Sequence, residues 1–224
     1  MKEDSMEIDW SAIKRGRDST RGMFPRVLTV PIIEDARKKA CDLLPDGGAL
    51  LDVGAYDRNL DVYMRKAGKQ AVYRSYDPDR TLPHDYHSLA EIREAFDVIV
   101  VFEVIEHLSV AEAMDLMARL RGLLKEQGVL VISTPNVFHP TIFWRDCTHR
   151  TGFRYNEVVG ILGSMGYGGF EVYRVARMSL KDRITIFFYK PLMKLLNMDF
   201  AGRILVIARK GPQSLASAGR GHAG

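Results

Sequence analysis

The sequence predicts an α/β fold, a doubly wound and mostly parallel sheet with helices on both faces. Three observations carry this. Short β-forming runs alternate with helical patterns along the chain. One run, Val98 to Phe102, is continuously apolar, as expected of a strand buried on both faces of a parallel sheet. The stretch "ALLDVGAYDRNL", Ala49 to Leu60, reads as a strand entering a tight turn and then a helix. Such turns lie at the carboxyl edge of the sheet, where doubly wound folds bind ligands. With 224 residues the chain suffices for one domain of this class and not comfortably for two.

Taken in order, residues 1–28 read as an irregular or partly helical lead. From Val30 to Leu44 the pattern is helical, with Ile32, Ile33, Ala36, Ala40 and Leu43 or Leu44 on one face and Pro45, Gly47 and Gly48 as its stop. "ALLDVG" is the next strand, Asn59 to Lys66 the next helix, and Gly68 its C-terminal stop. "AVYRSYD" is a strand ending on Asp77, which Pro78 keeps from simple continuation. "HSLAEIREAF" reads as a helix. After the strand at Val98 to Phe102, Ser109 and Glu112 form a capping box that opens a helix with Val110, Ala113, Met114, Met117, Leu120 and Leu124 on its apolar face. Gly128 precedes the strand "VLVIST", and Asn156 to Met165 is a helix stopped by Gly166. "FEVYRVAR" and "RILVIARK" are the last strands. Between them "ITIFFYKPLMKLLNMDFAG" is apolar and mildly amphipathic, and reads as a helical insertion over about residues 180–201. It either walls a substrate pocket or serves as a peripheral membrane or dimer contact. The main domain is therefore expected over residues 29–210, with residues 211–224 a disordered tail.

Bulk properties narrow the function classes. The composition, 46% apolar and 27% charged, is that of an ordinary soluble domain. The net charge of +4 permits an anionic substrate, but the basic cluster Lys14, Arg15, Arg17, Arg21 and Arg26 lacks the aromatic interleaving of a nucleic-acid surface. The two cysteines, Cys41 and Cys147, form no CxxC pair and suggest neither a zinc knuckle nor an oxidising compartment. The acidic start and the lack of an 18-residue apolar run point to a cytoplasmic protein without a spanning segment.

The turn after Ala49–Val53 matches only the first glycine of the GxGxxG dinucleotide fingerprint. Four pieces in order, "LLDVGA", "YRSYDPD", "FDVIVVFEVIEHL" and "LLKEQGVLVISTPN", resemble the class I S-adenosylmethionine-dependent methyltransferases, of the type 11/23-like kind. The resemblance spans roughly Ala49 to Lys210 and implies a seven-stranded Rossmann-like sheet with an antiparallel closing hairpin, and S-adenosylmethionine as cofactor. It implies that Asp52, Gly54 and Ala55 border the methionine part of the cofactor. Asp77, followed by Pro78, would hold the ribose hydroxyls, a task suited to a carboxylate's two acceptor oxygens. Asp85 and Tyr86 would approach the adenine, and Phe102 and Glu103 would lie beneath the cofactor. Where the family's loop carries glycines, this chain has Tyr56 and Arg58. Tyr56 either fills the pocket, leaving a non-catalytic binding module, or turns outward and leaves backbone N–H groups to the cofactor, with Arg58 adding positive charge.

The segment after the fifth strand, Trp144 to Phe153, resembles a W-x-D-x-T-H-x-x-x-F element of methyltransferases associated with glycan and glycoconjugate pathways. That implies O-methylation of a sugar, glycoconjugate or small metabolite. His149 is the candidate base, since imidazole titrates near working pH; the alternative is that it only fixes the loop. His107 is a second catalytic candidate. Asp146 either orients His149 or caps the turn, and Trp144 and Phe153 either stack on a sugar or belong to the core. Glu103, Glu106, His107 and His149 resemble a set that holds a divalent ion, Mg²⁺, Mn²⁺ or Zn²⁺, in ubiquinone-type and small-RNA ribose methyltransferases. The alternative is that Glu106 and His107 merely open a helix. A metal-dependent RNA ribose 2′-O-methyltransferase is thus a rival reading, with nucleic acid the less favoured acceptor.

Overall fold

The computed structural model describes residues 10–20, 22 and 25–211. The expected tail, apart from Gly211, and Arg21 of the basic cluster lie outside the described residues. Helix α1 (Trp10–Thr20) leads into strand β1 (Ile32–Ile33), helix α2 (Ala36–Leu43), strand β2 (Ala49–Val53) and helix α3 (Asn59–Lys66). Then come β3 (Val72–Tyr76), β4 (Phe96–Phe102), α4 (Val110–Leu123), β5 (Leu124–Pro135) and α5 (Tyr155–Ser164). The chain closes with β6 (Tyr167–Val175), α6 (Leu180–Leu196) and β7 (Arg203–Lys210).

The strands form one seven-stranded sheet in the order β1-β6-β7-β5-β4-β2-β3. Only β7 runs antiparallel to its neighbours, β5 and β6, which makes the closing hairpin. The chain moves outward from β2 to β3, then returns to the other side of β2 with β4, so the order reverses between β2 and β4. Ligands in open α/β sheets bind at such a reversal, outside the carboxyl ends of the strands.

Alternation along the strands divides the core into two layers. Leu51, Val53, Ile99, Val101, Leu130, Ile132 and Val206 face α4 and α5, where Met117, Leu120, Val158 and Leu162 are fully buried. Leu50, Val98, Val100, Val131, Leu205 and Ile207 face α2 and α3, against Ala40, Cys41, Leu60 and Met64. Ser109 and Glu112 cap α4 reciprocally, as the sequence predicts. Gly68 and Gly166, in the left-handed region, end α3 and α5.

Four expectations change. Ile32 and Ile33 form an edge strand parallel to β6, and the helix begins only after Asp35, whose carboxylate accepts from the Arg37 and Lys38 N–H groups. "HSLAEIREAF" forms a single 3₁₀ turn, Leu89–Glu91, because Phe96 is already a strand residue and no room remains for a second turn. The six strands read along the sequence fall one short of the seven that the resemblance implies: β1 supplies the seventh, and Tyr86 adds only an isolated bridge to Tyr76. Finally, the insertion helix α6 does not bury its main apolar side on the domain: Phe187, Phe188 and Leu195 are each more than 70% exposed. Among the described residues of the lead, Trp10–Thr20 forms a helix. In α1, Gly16 lies against Gly160 of α5 so closely that a Cβ added to Gly16 would stand 2.5 Å from the Gly160 carbonyl oxygen.

Candidate active site

At the reversal, the turn after β2 meets the turn after β4. Gly54 has φ +72°, and a Cβ there would lie 2.4 Å from Val104 Cγ2, so only glycine fits. The Gly54 and Ala55 N–H groups both donate to the Tyr76 carbonyl, tying the turn to β3. Tyr56 and Arg58 hold left-handed conformations that non-glycine residues seldom adopt. The Tyr56 side chain is 70% exposed and turns away, while its N–H donates to Asp77 Oδ2 at 3.1 Å. Asp77 Oδ1 accepts from the Asp79 N–H. Each carboxylate oxygen keeps acceptor capacity after one such bond. A cavity of about 410 Å³ opens here, bordered by Val53, Gly54, Tyr76, Pro78, Leu89 and Val104. That volume lies within the range of ligand pockets, and of the expected cofactor residues Gly54 and Pro78 border it whereas Asp77, Asp85 and Tyr86 do not.

Other members of the expected cofactor set are engaged differently. The Asp52 carboxyl is buried and accepts from the Tyr73 hydroxyl at 2.7 Å; burial pushes its pKa up to about 6. Asp85 accepts from the Ser75 N–H and hydroxyl, which with the nearby Arg58 and Arg74 hold it below the usual carboxylate range although burial opposes this. Tyr86 donates to Glu94. Arg58 donates to the Pro83 carbonyl and stands 3.7 Å from Asp85, so its charge is turned to that loop. His87, which the sequence reading passed over, donates from Nδ1 to the Asp77 carbonyl and fixes the loop after β3.

A larger cavity, about 990 Å³, lies on the far side of the β4 terminus. Phe102, Glu103, Glu106, His107, Asp146 and His149 border it. Glu103, with φ +54°, accepts from the Ser133 hydroxyl at 2.6 Å and stands 3.4 Å from Arg203 Nε. Glu106, His107 and His149 converge, each with one ligand atom within 4.8 Å of the others, while Glu103 is outside this group. The two imidazoles are 4.9 Å apart, edge to face.

Hydrogen bonding orders both rings. His149 Nδ1 lies 2.7 Å from the Phe143 carbonyl, which can only accept, so Nδ1 carries the proton and Nε2 the free lone pair. The Thr148 hydroxyl donates to Asp146 Oδ1 at 2.7 Å. Its oxygen is then left to accept from His107 Nδ1 at 2.9 Å, which frees the His107 Nε2 lone pair too. Asp146 thus caps its turn and acts through Thr148 on His107 rather than on His149. Glu106 is fully buried, neither carboxyl oxygen has a hydrogen-bond partner, and burial together with the nearby Glu103 pushes its pKa up to about 8. Phe153 is core and Trp144 is 80% exposed.

The sequence reading also missed what frames this cavity. Arg37, Arg145, Arg177 and Arg203 border it. Beside it, Arg174 and Asp199 form a buried ion pair at 2.8 Å, and Asn136 Nδ2 donates to both Asp199 and the Ala201 carbonyl. None of these carries a local pattern; strand register and the return of the chain from α6 bring them together.

The profile of a family described as a methyltransferase domain matches residues 29–160. No curated protein matches. Among solved structures the chain is similar to an S-adenosylmethionine-dependent methyltransferase from Archaeoglobus fulgidus, with TM-score 0.58 and 14% identity over 88% of this chain and 94% of that one. It is also similar to a TehB-like S-adenosylmethionine-dependent methyltransferase from Corynebacterium glutamicum, with TM-score 0.53 and 12% identity over 88% and 99%. A third is phosphoethanolamine N-methyltransferase 2 of Haemonchus contortus in complex with S-adenosyl-L-methionine, with TM-score 0.54 and 14% identity over 78% and 51%. At these identities the likeness is one of fold, whereas the profile match covers more than half of the sequence. The chain belongs to the class I S-adenosylmethionine-dependent methyltransferases.

Proposed function

We propose that this enzyme methylates a hydroxyl oxygen of a sugar, glycoconjugate or small metabolite held in the larger cavity. The observation that carries this reading is the His107–His149 pair, whose two Nε2 lone pairs are left free by their bonds to Thr148 and Phe143. Bound S-adenosylmethionine supplies an electrophilic methyl group on a sulfonium, so the protein has only to align the acceptor and remove its proton. In this reading the turn at Gly54 and the Asp77 carboxylate hold the cofactor, while Phe102 and Glu103 line the acceptor cavity at the end of β4. His149 takes the proton at Nε2 while the Phe143 carbonyl holds its ring. The Arg145 and Arg177 guanidinium groups, which make no ion pair among the described residues, would face an acidic group on the acceptor.

A specific observation favours a second reading, in which His149 Nε2 ligates a divalent ion and is not the base. Glu106, His107 and His149 converge, and the buried Glu106 carboxyl has only the Thr134 hydroxyl and its own backbone nearby, neither in well-formed hydrogen-bond geometry. Unpaired buried carboxyls are costly, and a divalent ion would satisfy this one. One carboxylate and two imidazoles suit Zn²⁺ or Mn²⁺ better than Mg²⁺. Such an ion would lower the pKa of a coordinated hydroxyl.

The test is methyl transfer to a panel of hydroxylated acceptors, with and without chelator and each metal. His149→Ala should lower kcat by about a hundredfold or more while cofactor affinity stays within about twofold. Wild-type activity that survives chelation, with Glu106→Gln unaffected, would remove the ion from the scheme. Full activity in His149→Ala would remove the base.

A further inference from the structure

Helix α6 leaves the sheet after β6 and returns at β7, so it is rooted beside the larger cavity: Ala176 and Arg177 before it, and Gly202 and Arg203 after it, border that cavity. Its side chains sort into distinct stripes. Leu180, Ile184, Phe187, Phe188, Leu192 and Leu195 follow one another at helical spacing and lie along one side, all between 48% and 81% exposed. Ile186 and Met193, seven residues apart, form another side and are half-buried. An apolar face of this size rarely stays in water in a soluble domain.

The charges on the helix say what covers it. Asp182 is its only acid and is spent on the N-cap, accepting from the Ser179 N–H and hydroxyl. Lys181, Lys190 and Lys194 border the apolar side, with Lys190 and Lys194 one turn apart, and all are exposed. Pairing with a second copy of the same face would crowd lysines together with no acid to answer them. A lipid surface carrying negative headgroups meets both features: the acyl boundary takes Phe187, Phe188 and Leu195, and lysine stems extend to the headgroups. The helix is about 25 Å long at 1.5 Å per residue, and no helix among the described residues is long and apolar enough to cross a membrane. It can lie in the interface but not span it.

We propose that α6 docks the enzyme on an anionic membrane surface and brings the mouth of the acceptor cavity to the lipid. The acceptor class this implies is a hydroxyl compound carried on or partitioned into lipid. The docking itself does not depend on the assignment of His149 or of the metal.

The test is flotation of the whole chain with vesicles of phosphatidylcholine alone and of phosphatidylcholine mixed with phosphatidylglycerol. The wild type should bind the mixed vesicles roughly tenfold more tightly, and the preference should weaken with salt. Phe187→Glu with Phe188→Glu should lose binding to both. Lys190→Gln with Lys194→Gln should lose about tenfold on the mixed vesicles only. These residues are exposed, so a thermal shift by S-adenosylmethionine should persist in both variants and report intact folding and cofactor binding. Wild type that floats with neither vesicle overturns the proposal, as does equal binding to both vesicles that the lysine changes leave untouched. Sedimentation that reveals a dimer dissolved by Phe187→Glu, with no vesicle binding, would assign the face to a second copy instead.

Discussion

The Asp52 carboxyl is held inside an apolar layer by one hydrogen bond from Tyr73. Burial disfavours its charged form and raises its pKa from 3.8 to about 6. The fold therefore retains a proton that the unfolded chain releases as pH passes about 4. Stability is greatest below that point, falls as pH rises to about 6, and is level above it, with a slope near 1.4 kcal/mol per pH unit. Asp52→Asn keeps an acceptor for Tyr73 and removes the titration. Urea denaturation from acid to neutral pH should give the variant a flatter profile than wild type across that window and a higher stability at pH 7. Equal slopes would mean that the carboxyl reaches water in solution.

At the scale of elements, the sequence exposes those whose signals are local. Helix α4 was legible because Ser109 and Glu112 announce its start and its apolar stripe repeats for four turns. Strand β1 was not, because Ile32 and Ile33 also continue the stripe of α2, and two residues are too few to show a period of their own. The helix expected over "HSLAEIREAF" does not form, because the Ser88–Glu91 capping box opens a turn too short to become one. In the candidate site, the resemblance singled out Glu103, Glu106, His107 and His149, of which the last three converge, but the link from Asp146 through Thr148 to His107 exists only in three dimensions. The least legible device is the group formed by Asn136, Arg174 and Asp199. It joins the end of β5, the end of β6 and the chain returning from α6, and Arg174 also donates to the Val30 carbonyl. Asp199→Ala would leave the Arg174 charge buried and uncompensated, at a cost of about 3–5 kcal/mol. Denaturant titration should show that loss, whereas the exposed pair variant Asp115→Ala should lose less than about 1 kcal/mol. A small effect at Asp199 would mean that water enters and solvates Arg174.

For the whole molecule, the question is whether a cofactor turn built from Tyr56 and Arg58 still works. One sheet carries both cavities, so a ligand that bridges the turns after β2 and β4 stabilises the entire unit rather than one loop. At a hundredfold excess over its dissociation constant, S-adenosylmethionine should add about 2.7 kcal/mol. For a domain of this size that corresponds to a rise in Tm of roughly 5–10 °C. Asp77→Ala should abolish most of the rise, because its carboxylate both braces the Tyr56 N–H and offers the remaining acceptor sites. Gly54→Ala should abolish it as well and lower the unliganded Tm, since the new Cβ meets Val104 in a left-handed turn. Tyr56→Gly should keep the rise: the side chain is turned outward, and glycine accepts the same backbone conformation without strain. Loss of the rise in Tyr56→Gly would make the tyrosine a cofactor contact rather than a tolerated departure. No rise in the wild type would mean that the turn, although open here, has lost its ligand.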